Sequence, residues 1–148
     1  CIRSIEQGKK IEIRSPYAVR PWQHVLDAIG GYLLLAQRLW NQPEEYGEGW
    51  NFGPEIASFA NVWDVTKKII NEMKKGEIID CSSQKNVHEE NLLFLDSTKA
   101  WLKLGWRPHW GLDMAIRKTT EWYSKEQEKE NMYEVGIKQI EAWREKNE

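Results

Sequence analysis

The sequence predicts an α+β fold rich in helix. Apolar side chains recur at helical spacing along several stretches, roughly five helical segments in all. The strand-prone runs between them are short and closed by glycine or proline, too little strand for a full sheet of their own. Such a unit is expected to lean on a larger sheet elsewhere.

Taken in order, Ile2, Ile5 and then Gly8 read as the end of a helix, and Gly8-Lys9-Lys10 turn the chain into a strand over 11–13. A chain that opens at Cys1 inside a helical pattern is expected to have further sequence before it. Ser15-Pro16 break the strand, and Pro21 limits any ladder in the corner Arg20-Pro21-Trp22-Gln23-His24. A helix follows over 25–40, its inward face predicted as Val25, Ile29, Tyr32, Leu33, Ala36 and Trp40. Gly30-Gly31 sit mid-helix, each costing roughly 1 kcal/mol against alanine. Bare backbone there admits close approach, either of a neighbouring element or of another lobe.

Residues 41–49 read as a loop and 50–54 as a short strand stopped by Gly53-Pro54. Asn61 caps a helix with Asp64 near its positive end, a buried face of Val62, Val65, Ile69, Ile70 and Met73, and a stop at Gly76. Residues 77–80 are a brief strand, 81–87 a polar loop, and 91–95 a buried extended run. Asp96 or Ser97 caps a short helix over 98–104, stopped by Gly105, and 106–110 is a tight connection. Leu112, Ala115, Ile116, Thr119 and Tyr123 define the next helix. Residues 124–130 read as a solvated end or linker. Met132, Val135, Ile140 and Trp143 mark a last helix interrupted by Gly136.

The 148 residues suit one domain, 1–148, with a sizeable core. A formal charge of −2 argues against a nucleic-acid binder, which needs a basic face. Two cysteines, Cys1 and Cys81, without CxxC spacing indicate neither a disulfide framework nor zinc, so a reduced, cytoplasmic setting is expected. No apolar run is long enough to span a membrane.

Catalytic patterns are missing. Gly30-Gly31 lie inside a helix, Gly47-x-Gly49 lacks a strand-to-helix setting, and no GxSxG or HExxH occurs. Asp27 follows His24 by three residues, with no nucleophile in reach to orient. Binding is better supported. Arg20, Trp22 and His24, a cation, a flat aromatic and an imidazole, stand in a corner held by the following helix and suit an anionic, planar ligand. Arg20 either forks onto a phosphate or bonds loop carbonyls; Asn51 is either a ligand donor or a turn former. His24 reads as a structural histidine. Of nine tryptophans, those at 40, 63, 101, 122 and 143 fall on helical faces as packing groups, and at most one or two of Trp22, Trp50, Trp106 and Trp110 are left to stack on a ligand.

IRSPYAVRPWQHVLDAIGGYLLLAQRLW, then WNFGP, then HEENLLFLDSTKAWLKLGWRPHW resemble the C-terminal part of the bacterial CDP-glucose 4,6-dehydratases, a branch of the extended short-chain dehydrogenase/reductase superfamily. The likeness covers essentially the whole chain. RPWQHV marks that branch, and LD-x-x-KA-x-x-x-LGW-x-P is shared across the superfamily. The resemblance implies a helix-rich C-terminal substrate-binding lobe with a few short strands, lacking the Rossmann sheet. The full-length enzyme would hold NAD in an N-terminal Rossmann domain, oxidise C4 of CDP-glucose, eliminate water across C5 and C6, and return the hydride to C6. Its product feeds dideoxysugars of lipopolysaccharide, and the enzyme is expected to be a homo-oligomer.

The family's glycine fingerprint and Tyr-x-x-x-Lys pair have no counterpart here, so the resemblance implies no cofactor and no catalysis in this chain alone. It matches Arg20 to an arginine on the nucleotide diphosphate. Residues 11–14, Ile13 and Arg14 among them, match a segment beside the base and ribose. Asn51 matches an asparagine lining the site, and His88 and Glu89 a polar motif that helps hold the ribose or phosphates. Relatives for other nucleotides carry an arginine in that motif; this sequence has none there. The competing class is a non-catalytic interaction module, suggested by the off-pattern motif and the charged tail over 124–148.

Overall fold

The computed structural model describes residues 1–84 and 91–145. Its helices are α1 (Ile2–Glu6), α2 (Val25–Asn41), α3 (Pro43–Tyr46), α4 (Val62–Met73), α5 (Leu112–Gln127) and α6 (Met132–Arg144). Its strands are β1 (Ile11–Ile13), β2 (Val19–Pro21), β3 (Phe59–Asn61) and β4 (Ile78–Asp80). Among the described residues β1 pairs with β4 in parallel and β2 with β3 antiparallel, giving two two-stranded sheets. The predicted helix-rich α+β class is the observed one.

Two apolar clusters organise the packing. In one, Ile5, Ile11 and Ile13 are buried against Val62, Ile69, Ile70 and Met73 of α4, the face its periodicity predicts. Asn61 caps α4 as expected, its Oδ1 accepting the Asp64 N–H at 2.7 Å. The stop is earlier than predicted: Lys74, at φ 54°, takes the left-handed position and Gly76 lies beyond it. In the other cluster, Tyr46, Phe52, Ala100, Leu104 and Trp106 pack against Leu34, Leu35 and Leu39 of α2.

The inward face predicted for α2 is the outward one. Leu33 is 67% and Trp40 88% exposed, and Val25, Ile29, Tyr32 and Ala36 are exposed with them. The face that enters the protein carries Asp27 and Gly31, both buried. The glycine pair faces its own chain: a methyl on Gly30 would collide with the Trp143 ring, and one on Gly31 with the Phe52 ring. Of the two roles open to them, close approach within this chain is the observed one.

The short elements agree with the sequence only in part. Residues 50–54 form no strand; Gln23 and Ser97 bond their backbone instead, at Phe52 O (2.9 Å) and Gly53 N (2.6 Å). The strand comes later, at β3, and lies on β2, where Pro21 sits at the end of the ladder. The run over 91–95 touches β2 through a single bridge, Leu92 to Val19, and Leu92, Leu93 and Phe94 are about half exposed. Residues 98–104 are helical, widened to a π-turn at Ala100–Leu104 and stopped at Gly105 with φ 71°. Residues 124–127 continue α5, and Gly136 does not interrupt α6.

Candidate functional site

The first sheet opens beside a cleft of about 730 Å³. Its walls include β1, the Ser15 turn and the start of α1, and its charged lining is Lys9, Lys10, Glu12 and Arg14. Lys10 Nζ is ion-paired with Glu77 at 2.7 Å. Arg14 is exposed, whereas Ile13 is 4% exposed and gives its side chain to the core. Three cations against one carboxylate make this wall attractive to an anion.

Arg20 stands at the middle of β2, opposite Ala60 of β3. Its Nη1 donates to the Val19 carbonyl at 2.8 Å, and it makes a further interaction. The strand is pinned from both sides. Trp22 Nε1 donates to Ala60 O (2.9 Å), and Val19 exchanges backbone bonds with Asn91 O (2.8 Å) and Leu93 N (3.3 Å). Asn51 is exposed and donates from Nδ2 to the Asp96 carbonyl at 3.2 Å. Asp96 is itself held below the ordinary carboxylate range by hydrogen bonds from the Thr98 side chain and backbone. His88 and Glu89 lie outside the described residues.

Ile13 and Arg14 therefore share the cleft, Arg20 lies on the neighbouring sheet, and Asn51 belongs to the Asp96 turn. Lys9 and Lys10 join the cleft without having been singled out in the sequence. Their position just ahead of an isoleucine-rich strand is the only signal they carry there.

The corner that follows β2 is structural. His24 caps α2, its Nδ1 accepting the Leu26 N–H at 3.2 Å, and its ring meets Trp110 edge-on at 4.7 Å. Burial pushes the imidazole below its ordinary value; Asp27 works against that shift and Lys118 with it. Asp27, 0% exposed, is a tie and not an orienting acid. Its Oδ1 accepts the His109 N–H at 2.7 Å and Trp143 Nε1–H at 2.8 Å, and its carbonyl accepts Trp106 Nε1–H at 3.2 Å.

Gly30-Gly31 lie within α2 under two aromatic rings, so this pair is not the glycine-rich turn between a strand and a helix N-terminus that cradles a pyrophosphate.

The fold defines a class first. The chain superposes on the dTDP-glucose 4,6-dehydratase of Bacillus anthracis, solved with NAD. The TM-score is 0.65 at 20% identity, over 86% of this chain and 38% of that one. It superposes on RMD of Pseudomonas aeruginosa, solved with NADPH, at TM-score 0.59 and 18% identity, over 78% and 37%. The chain has the fold of the helix-rich C-terminal lobe of an extended short-chain dehydrogenase/reductase.

Within that class the sequence is similar to the CDP-glucose 4,6-dehydratase of Salmonella typhimurium strain LT2, 36% identical over 122 residues. The match takes in 82% of this chain and 34% of the relative, so the chain spans about a third of that protein's length. The resemblance to the CDP-glucose 4,6-dehydratases read from the sequence is the one this match shows. No protein-family profile matches the chain.

Proposed function

We propose that this chain is the nucleotide-sugar-binding lobe of a CDP-glucose 4,6-dehydratase. The 36% identity to the Salmonella enzyme across 82% of the chain carries this reading. The cationic wall of Lys9, Lys10 and Arg14, with Arg20 on the next strand, supports it chemically, because a diphosphate is recognised by charge-assisted donors.

In this reading the chain's own residues bind and orient. Backbone over 11–14 runs beside the base and ribose, Arg20 holds the diphosphate, and Asn51 lines the site, with His88 and Glu89 assigned to the ribose or phosphates. NAD, held by a separate Rossmann lobe, supplies hydride transfer for the conversion of CDP-glucose to CDP-4-keto-6-deoxyglucose, a precursor of dideoxysugars. The 148-residue chain binds the nucleotide sugar and does not turn it over.

Calorimetric titration with CDP and CDP-glucose tests the assignment. Saturable binding is expected, and Arg20→Ala should weaken it by about 1.5–3 kcal/mol, roughly ten- to a hundredfold in Kd. Equal affinity of Arg20→Ala and the parent would remove Arg20 from the diphosphate.

A further inference from the structure

Two side chains that are more than nine-tenths buried each keep one polar end without a partner. They are His24, 5% exposed, and Gln139, 7% exposed. His24 Nδ1 accepts the Leu26 N–H, so the neutral ring carries its proton on Nε2, for which no described residue is an acceptor. Burial pushes the imidazole below its ordinary value, which holds it in this neutral form near neutral pH. Gln139 Nε2 donates to the Lys118 carbonyl at 2.7 Å, an oxygen that only accepts. The amide orientation is thereby fixed, and Oε1 is left as an acceptor with no described donor. Among the described residues, the polar atoms both orphaned and sealed from water are Gln23 Oε1 and Asp27 Oδ2. His24 Nε2 and Gln139 Oε1 therefore open onto the cleft that both residues line.

That cleft, about 460 Å³, lies where the start of α2 meets α5 and α6. Trp122 and Tyr123, whose rings meet edge-on at 5.2 Å, give it an aromatic wall, and Val25 and Ile140 add aliphatic area. Among the described residues no carboxylate, lysine or arginine lines it, and it shares no residue with the cationic cleft. A charged ligand would find no counter-charge there and would lose its hydration. A neutral flat molecule loses little, and gains if it returns an acceptor to Nε2–H and a donor to Oε1. Cyclic amides carry both groups, a carbonyl and an N–H, on one small ring. We propose that this cleft is a binding site for a neutral planar molecule of that kind, its carbonyl on His24 and its N–H on Gln139. The site stands on residues that the nucleotide reading does not use, so neither depends on the other.

Titration of the isotope-labelled chain with 2-pyridone, followed by NMR, tests it. Saturable shifts are expected at the Gln139 side-chain amide and the Trp122 indole N–H. The N-methyl derivative of the probe keeps the ring and carbonyl but lacks the N–H, and should bind about five- to a hundredfold more weakly. Gln139→Met should lose the same factor for 2-pyridone and leave the affinity of the N-methyl derivative unchanged. Gly136→Leu fills the cleft from a position where an added methyl meets nothing within 4 Å, so the fold is kept and binding of both probes should vanish. Shifts that stay linear up to the solubility limit would leave the two groups to ordered water and overturn the proposal. Equal affinities for the two probes, undiminished binding in Gly136→Leu, or saturable shifts confined to Lys9, Lys10 and Arg14 would overturn it as well.

Discussion

Asp27 shows how much one polar side chain can hold. It draws together α2, the connection at His109 and the C-terminal part of α6 through two short hydrogen bonds to one oxygen. Asp27→Ala would leave the partly buried His109 N–H and Trp143 indole N–H without their acceptor, at up to about 1–3 kcal/mol each. Urea unfolding should show a loss of roughly 2–6 kcal/mol. Asp27→Asn keeps an accepting oxygen in place and should recover most of it. Equal losses in the two variants would mean that charge, not acceptance, matters there. His24 adds a dependence on pH. Its folded-state value lies below the ordinary 6.5, so the unfolded chain binds more protons in that window. Stability from this group is complete above pH 6.5 and falls as the pH drops toward the depressed folded value. Glu48, Asp80 and Asp96 are all pushed down from carboxylate values and titrate below that window. Denaturant midpoints measured from pH 7.5 to 5 should decline in the parent. They should stay nearly flat in His24→Asn, which keeps a capping acceptor at the N-terminus of α2.

The helices test what packing adds to propensity. Gly31→Ala and Gly136→Ala make the same change at interior positions of α2 and α6, and alanine is favoured in a helix by about 1 kcal/mol. A methyl at Gly136 meets nothing within 4 Å, so that variant should gain roughly this amount. At Gly31 it runs into Phe52, which is buried and wedged edge-on against Trp106 at 5.0 Å. Overpacking of this kind costs about 1–3 kcal/mol, so Gly31→Ala should be destabilising in thermal melts. Opposite signs for the two substitutions are the expected result.

These helices also mark what could be read from the chain before folding. Periodicity located α2 and α4 almost to the residue. On α4 it also named the buried face, because the other side is charged, with Asp64 and Lys67 exposed. On α2 it named the wrong one. Leucines line one side of that helix and Val25, Ile29, Leu33 and Trp40 the other, and an apolar repeat alone does not say which side finds a partner. A buried aspartate and a glycine, neither of them apolar, decide it. The run over 91–95 misled in the same way: its hydrophobicity promised burial, but its one bridge to Val19 leaves Leu92 and Leu93 half exposed. The candidate site was legible only as residue types. Arg14 and Arg20 are separated by the turn at residues 15–18, which bonds to the start of α4 through Trp63 N–Pro16 O and Val62 N–Ala18 O. That turn leaves Arg14 just past the end of β1 and puts Arg20 in β2, and nothing in the spacing foretells it.

At the scale of the molecule, two small sheets and an apolar helix face stand where a larger assembly would supply partners. The cationic cleft and β2 are built entirely from this chain, so nucleotide binding should survive without a second lobe. Binding to the folded state alone raises stability by mass action, about 2.7 kcal/mol at a hundredfold excess over Kd. For a chain of this size that is roughly 5–10 °C in melting temperature. Thermal melts in rising CDP should climb by that amount, and CDP-glucose should do at least as well. The shift should shrink with added salt, because Lys9, Lys10 and Arg14 attract the diphosphate partly through screened charge. Arg14→Ala should lower the salt dependence along with the affinity, whereas a substitution on the outward face of α2, such as Leu33→Glu, should leave both untouched. A melting temperature indifferent to saturating CDP would sink the nucleotide-binding reading and leave the interaction-module class in its place.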